Sequence, residues 1–142
     1  MTAKEYLSQA YRLNQLANTK MEQIENLRAL SEKVTASYGS EQVSHSRNVT
    51  SMEDTVVRIV AAQDDLNRQL SEIVRLQVEI STLIDKVQNV NYSQILTKRY
   101  LRFMPWKRIA SEMGYSRRWV LQKHGQALEV VEKLLKEKAD TT

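Results

Sequence analysis

Four side chains set close together could read the edges of DNA bases. Arg117, Arg118, Leu121 and Gln122 follow Ser116, with Lys123 beside them. An arginine fork matches the two acceptors of guanine, and a glutamine amide matches the donor and acceptor of adenine. Leu121 fits either a thymine methyl group or a packing contact. Such readout needs the side chains on the first exposed turns of a helix that enters the major groove. Lys98, Arg102, Lys107 and Arg108 lie upstream, where cations are expected to hold phosphates and fix register without carrying sequence information.

The elements that must position these residues are written between Tyr100 and Val120. Taking Ala110 as the fifth position of a helix-turn-helix puts Ile109, Met113, Tyr115 and Val120 where the two helices pack together. Gly114 falls in the turn, which needs a backbone that tolerates positive φ. Ser116 is expected to cap the second helix by accepting from a free amide of its first turn. Pro105 suits the first position of the preceding helix, and Met104 before it is expected to be extended. Trp106, Tyr115 and Trp119 are expected to pack inside a compact three-helix unit. Gly125, inside the second helix, costs about 1 kcal/mol against alanine and fits close approach to a neighbouring helix or to the DNA backbone.

Leu96-x-x-Arg99-Tyr100-Leu101, Ile109-Ala110, Gly114-x-Ser116-x-x-x-Val120 and Ala127-Leu128 resemble the fourth region of bacterial primary sigma factors. The wording from Gly114 to Val120, with His124-Gly125 and Ala127-Leu128, is similar to small phage and prophage proteins that carry this motif at the C-terminus. Among them are the ArpU-like and RinA-like late transcriptional regulators and uncharacterised relatives. The resemblance implies a promoter site read by the helix-turn-helix and a contact with host RNA polymerase. It covers about residues 92–132.

Charge follows the same division. Residues 1–90 hold ten Lys/Arg and twelve Asp/Glu, a net −2, whereas residues 91–142 hold eleven against five, a net +6. Lys98, Arg99, Arg102, Lys107, Arg108, Arg117, Arg118 and Lys123 are opposed in their stretch by Glu112 alone. A basic surface on a helix-turn-helix is the footprint of a polyanion.

The rest of the chain reads as long helices. Residues 2–37 contain no Gly or Pro, and Tyr6, Ala10, Leu13, Ala17, Ile24, Leu27 and Val34 recur at helical spacing. Residues 38–50 lose the pattern and read as a loop, with Thr50 and Glu53 expected to form a capping box. Met52, Val56, Ile59, Gln63, Leu66, Leu70, Ile73, Gln77, Ile80, Ile84 and Val87 then alternate steps of four and three, a coiled-coil seam. Its glutamines fit a register-setting role and an ordinary ragged seam equally. Val60, Val74, Ala62, Leu76 and Leu83 widen the stripe beyond what one helical neighbour covers. Two hairpins pairing as a four-helix bundle are the preferred explanation, with packing of the helix-turn-helix onto the hairpin as the competitor. Asn91 is expected to cap a helix over 92–102.

The expectation is therefore an all-α chain: a long antiparallel helical hairpin over 1–88, serving oligomerisation, then a DNA-binding helix-turn-helix over 89–142. The functional expectation is a sequence-specific, double-stranded-DNA-binding transcription regulator of phage or prophage origin, dimeric through residues 1–88. The alternative is a small terminase-like packaging subunit, although those usually place the DNA-binding module first. An enzyme is not expected, because phosphate loops, nucleophile elbows and paired carboxylates are absent. Nor is a cofactor or metal, since His45 and His124 stand apart without cysteine. His124 is expected at the core edge or on a phosphate. Without a membrane-length apolar run or a signal-peptide pattern, a cytoplasmic location on the host's DNA is expected.

Overall fold

The computed structural model describes residues 1–38 and 45–140, with side chains over 1–33 and 52–140. The chain is all-α: α1 (Ala3–Leu7), α2 (Gln9–Tyr38), α3 (His45–Ile84), α4 (Val90–Leu96) with a π-helical turn (Thr97–Leu101), α5 (Trp106–Met113) and α6 (Arg117–Asp140). No described helix is long and apolar enough to cross a membrane.

Local chemistry explains most boundaries. Thr2 opens α1 through a capping box, its hydroxyl accepting from the Glu5 amide at 3.2 Å while the Glu5 carboxylate accepts from the Thr2 amide at 3.3 Å. The Glu132 carboxylate of α6 accepts from the Ala3 amide at 2.8 Å, meeting the positive end of α1. Helical hydrogen bonding continues across Ser8, from Ser8 N–H to Lys4 O and from Arg12 N–H to Ser8 O. Of the expected loop, residues 39–44 lie outside the described residues. The backbone is already helical from His45, so Thr50 lies within α3 and does not cap it.

Two further boundaries differ by a residue or two from expectation. Asn89, not Asn91, caps α4, its side-chain oxygen accepting from the Tyr92 amide at 3.1 Å. Pro105 is the cap of α5 rather than its first residue, with φ −69° and ψ 153°. The single helix expected over 92–102 instead widens into the π turn, where Arg102 N–H donates to Thr97 O at 3.1 Å and Met104 N–H to Lys98 O at 3.0 Å. The chain then leaves through Phe103 at φ 55°, a left-handed conformation that costs a non-glycine residue energy. The Phe103 ring meets Tyr11, with centroids 5.7 Å apart.

The chain divides into two compact units, Met1–Leu13 with Glu72–Thr142, and Asn14–Ser71. The first holds two apolar clusters. One joins Ala3, Leu7 and Ala10 to Leu76, Ile80, Leu83 and Ile84 of α3, and to Leu96, Tyr100, Ala127 and Val131. The other joins Ile95, Met104, Ile109, Ala110 and Val120. The wide stripe over 76–87 is thus covered by the chain's own helices, and Ile80 is fully buried without a second copy. Gln77 likewise finds its partner at home, donating to the Leu101 carbonyl at 3.3 Å. In the second unit, Ile24 of α2 lies beside Gln63 and Leu66 of α3, while Val56, Val57, Val60, Leu70, Leu16 and Leu30 remain exposed.

The glycines of the C-terminal helices give opposite expectations. A Cβ on Gly114 would meet nothing within 4 Å, but its φ of 74° is left-handed. Gly114→Ala should therefore destabilise by about 1 kcal/mol through backbone strain alone. Gly125 also has open space where a methyl group would stand, but it sits mid-helix, so the expected close approach of a neighbouring helix is absent. Gly125→Ala should stabilise by about 1 kcal/mol. Urea midpoints of the two variants moving in the same direction would contradict this assignment.

Candidate nucleic-acid interface

The turn between α5 and α6 is built as its residue types require. Gly114 takes the left-handed conformation, and the amides of Gly114 and Tyr115 both donate to the Ala110 carbonyl, at 3.0 and 3.1 Å. The Ser116 hydroxyl accepts from the Trp119 amide at 3.1 Å, and Val120 N–H closes the first turn onto Ser116 O. Val120, His124, Ala127 and Val131 form the buried stripe of α6. Helical spacing then puts Arg118, Gln122 and Gly125 on the opposite side and Leu121 at its flank. Arg117, three residues before Val120, continues the line of the buried stripe at the open N-terminus of the helix. All five are exposed, Leu121 by 39%. Among the described residues, no carboxylate pairs with Arg117 or Arg118.

Packing between α5 and α6 falls to Ile109, Ala110 and Val120, with Met113, Trp106 and Trp119 at the margin. Tyr115 does not join them. It is 47% exposed and stacks on the outer side of Trp119, with rings 3.8 Å apart and 15° from parallel. Lys123 reaches over the other ring of that pair, its ammonium 5.7 Å from the Trp119 centroid and 3.4 Å from the Gln126 side-chain oxygen.

Three of the upstream cations converge on one carboxylate. Glu112 lies 3.0 Å from Lys98, 3.8 Å from Arg102 and 3.3 Å from Arg108. The Lys98 hydrogen bond foremost, then the surrounding cations, hold the Glu112 carboxyl below its ordinary range. Lys98 is the most enclosed of the three and ties the π turn to α5. One anion cannot neutralise three cations, so the patch stays positive. Lys107 is exposed beside it.

Behind this surface lies a group that spacing did not reveal. Tyr100 from the π turn and His124 from α6 bring the phenol oxygen and Nε2 to 2.6 Å, and His124 is 7% exposed. Trp106 meets the imidazole edge-on at 4.5 Å. His124 is thus a core residue rather than a surface contact. Burial, with repulsion from Lys4 and Arg99, pushes its pKa down to about 4 from 6.5, and burial raises the Tyr100 phenol to about 12. In the unfolded chain the imidazole takes up its proton near 6.5, whereas in the folded chain it stays neutral down to about 4. Its contribution is complete above that upper value and is lost as pH falls through the window between the two. Between pH 7 and pH 5 the loss should be about 2 kcal/mol. Urea titrations of wild type and His124→Gln at both pH values would check this: equal pH dependence in the two proteins would remove His124 as the cause.

Residues 30–132 match the family model described as Protein of unknown function (DUF1492). No curated protein and no solved structure matches the chain.

Proposed function

The chain belongs to the DUF1492 family of proteins of unknown function, and we propose that it is a sequence-specific, double-stranded-DNA-binding transcription regulator. The observation that carries the reading is the opening of α6, where Arg117, Arg118, Leu121 and Gln122 stand exposed on the turns that follow the Ser116 cap. In a helix-turn-helix these turns enter the major groove, while Lys107 and the cations gathered at Glu112 face phosphates. The likeness of residues 92–132 to the fourth sigma region and to ArpU-like and RinA-like regulators supports a promoter as the target, a phage or prophage setting and host RNA polymerase as a partner. The exposed valines and leucines of the second unit support pairing of two copies through the segment 1–88.

Mapping the DNA bound by the chain across a lysogenic host genome tests the proposal. Enrichment at a promoter is the expected result. Enrichment at a packaging site would transfer the protein to the terminase class, and uniform coverage would remove sequence-specific regulation altogether.

A further inference from the structure

Lys4, Ser8 and Tyr11 from the N-terminal helices meet Arg99, Tyr100 and Trp106 around a cavity of about 70 Å³. All six belong to the first compact unit. Arg99 is fixed in place, its guanidinium 4.5 Å from the Trp106 ring centroid and 5.8 Å from that of Tyr11. Its Nη1 donates to the Met104 carbonyl at 2.9 Å. That bond uses one of five donors of the fork. Neither Lys4 nor Arg99 has a carboxylate partner among the described residues, whereas Lys98, Arg102 and Arg108 share Glu112 nearby in sequence.

We propose that this cavity is an oxyanion site that takes one phosphate-type group between Lys4 and Arg99. Half-buried Arg99 at the wall and exposed Lys4 at the mouth bring two positive charges to one recess, whose low-dielectric walls screen the Arg99 charge less than open solvent does. The recess has room for a phosphate and is too small for a nucleoside. Arginine supplies a planar fork and lysine a mobile point charge, a pairing suited to phosphate. The Ser8 hydroxyl adds a hydrogen-bonding group at the rim. The two aromatic rings keep the guanidinium oriented, so little side-chain entropy is lost on binding. This assignment stands apart from base reading by α6, since none of its residues lies on that face.

The source of the phosphate is either the DNA backbone or a free anion, and one set of titrations separates them. Inorganic phosphate is added to the full-length chain against sodium chloride of equal ionic strength, with thermal midpoints and the two histidine proton resonances followed together. A saturable rise in midpoint is expected, accompanied by movement of the His124 resonance, because Trp106 and Tyr100 contact both the cavity and that imidazole. Lys4→Gln, on an exposed position, should weaken phosphate binding roughly tenfold, the effect of losing about 1.4 kcal/mol. Arg99→Gln also removes the Met104 anchor, so Lys4→Gln is the decisive variant. Competition between phosphate and a duplex, with loss of that competition in Lys4→Gln, assigns the site to the DNA backbone. Equal phosphate affinity with and without duplex assigns it to a free anion. A chain that binds phosphate but no duplex would overturn the proposed function and leave the cavity assignment standing. Phosphate acting no differently from chloride, or binding Lys4→Gln as well as wild type, overturns the cavity assignment.

Discussion

Ile80→Asp should leave the chain unfolded. Ile80 is fully buried among α1, α3 and the C-terminal helices, so an aspartate there would place an unpaired carboxylate in an apolar core. The expected cost is several kcal/mol, comparable with the whole stability of a small domain. Circular dichroism should show loss of helix in water, and wild-type helicity with an unchanged thermal midpoint would contradict the core assignment. Val60→Asp provides the contrasting case. Val60 is exposed on the second unit, so the variant should keep its helix content while sedimenting as a monomer. A wild-type chain that is already monomeric at high concentration would remove the proposed pairing, whatever Val60→Asp does.

Arg117→Ala and Gln122→Ala should each cost about 1–3 kcal/mol on the cognate duplex and relax preference at one base pair. Both side chains lie exposed on the opening turns of α6, so neither truncation disturbs the fold. Lys107→Ala should instead weaken every sequence alike and reduce the salt slope by about one unit, as one fewer phosphate is neutralised. Binding curves on cognate and scrambled duplexes at several salt concentrations distinguish the two behaviours. Equal losses on both duplexes for Arg117→Ala would make it a phosphate contact. The Glu112 cluster adds a comparison: Glu112→Gln frees Lys98, Arg102 and Arg108 from their shared anion, and should tighten non-specific binding.

The turn at Gly114 and the cap at Ser116 were legible because both depend on local backbone chemistry, which one residue type at one position can state. The all-α class followed in the same way from a chain with three glycines and one proline. Tyr115 was not legible. Its ring could turn inward toward Ile109 or outward along Trp119, and only the filled space between α5 and α6 decides it. The π turn was hidden too, since one additional residue per turn leaves the apolar spacing of Ile95, Leu96 and Leu101 almost unaltered. Periodicity identified Ile73 and Ile80 as buried but could not say by what, because a second copy and the chain's own α6 present equivalent apolar surface. The Tyr100–His124 pair, 24 residues apart, has no sequence signature at all.

The bond from Ala3 to Glu132 spans 129 positions, and that span has a consequence for synthesis. Leu7 and Ala10 leave the ribosome well before Ala127 and Val131, which share their core. At about 5–20 residues per second, the early apolar residues wait on the order of ten seconds for their partners. Throughout that interval the nascent chain holds α2 and most of α3 without the element that closes the core. Chaperone capture should therefore peak before α6 emerges and decline sharply once Val131 clears the exit tunnel.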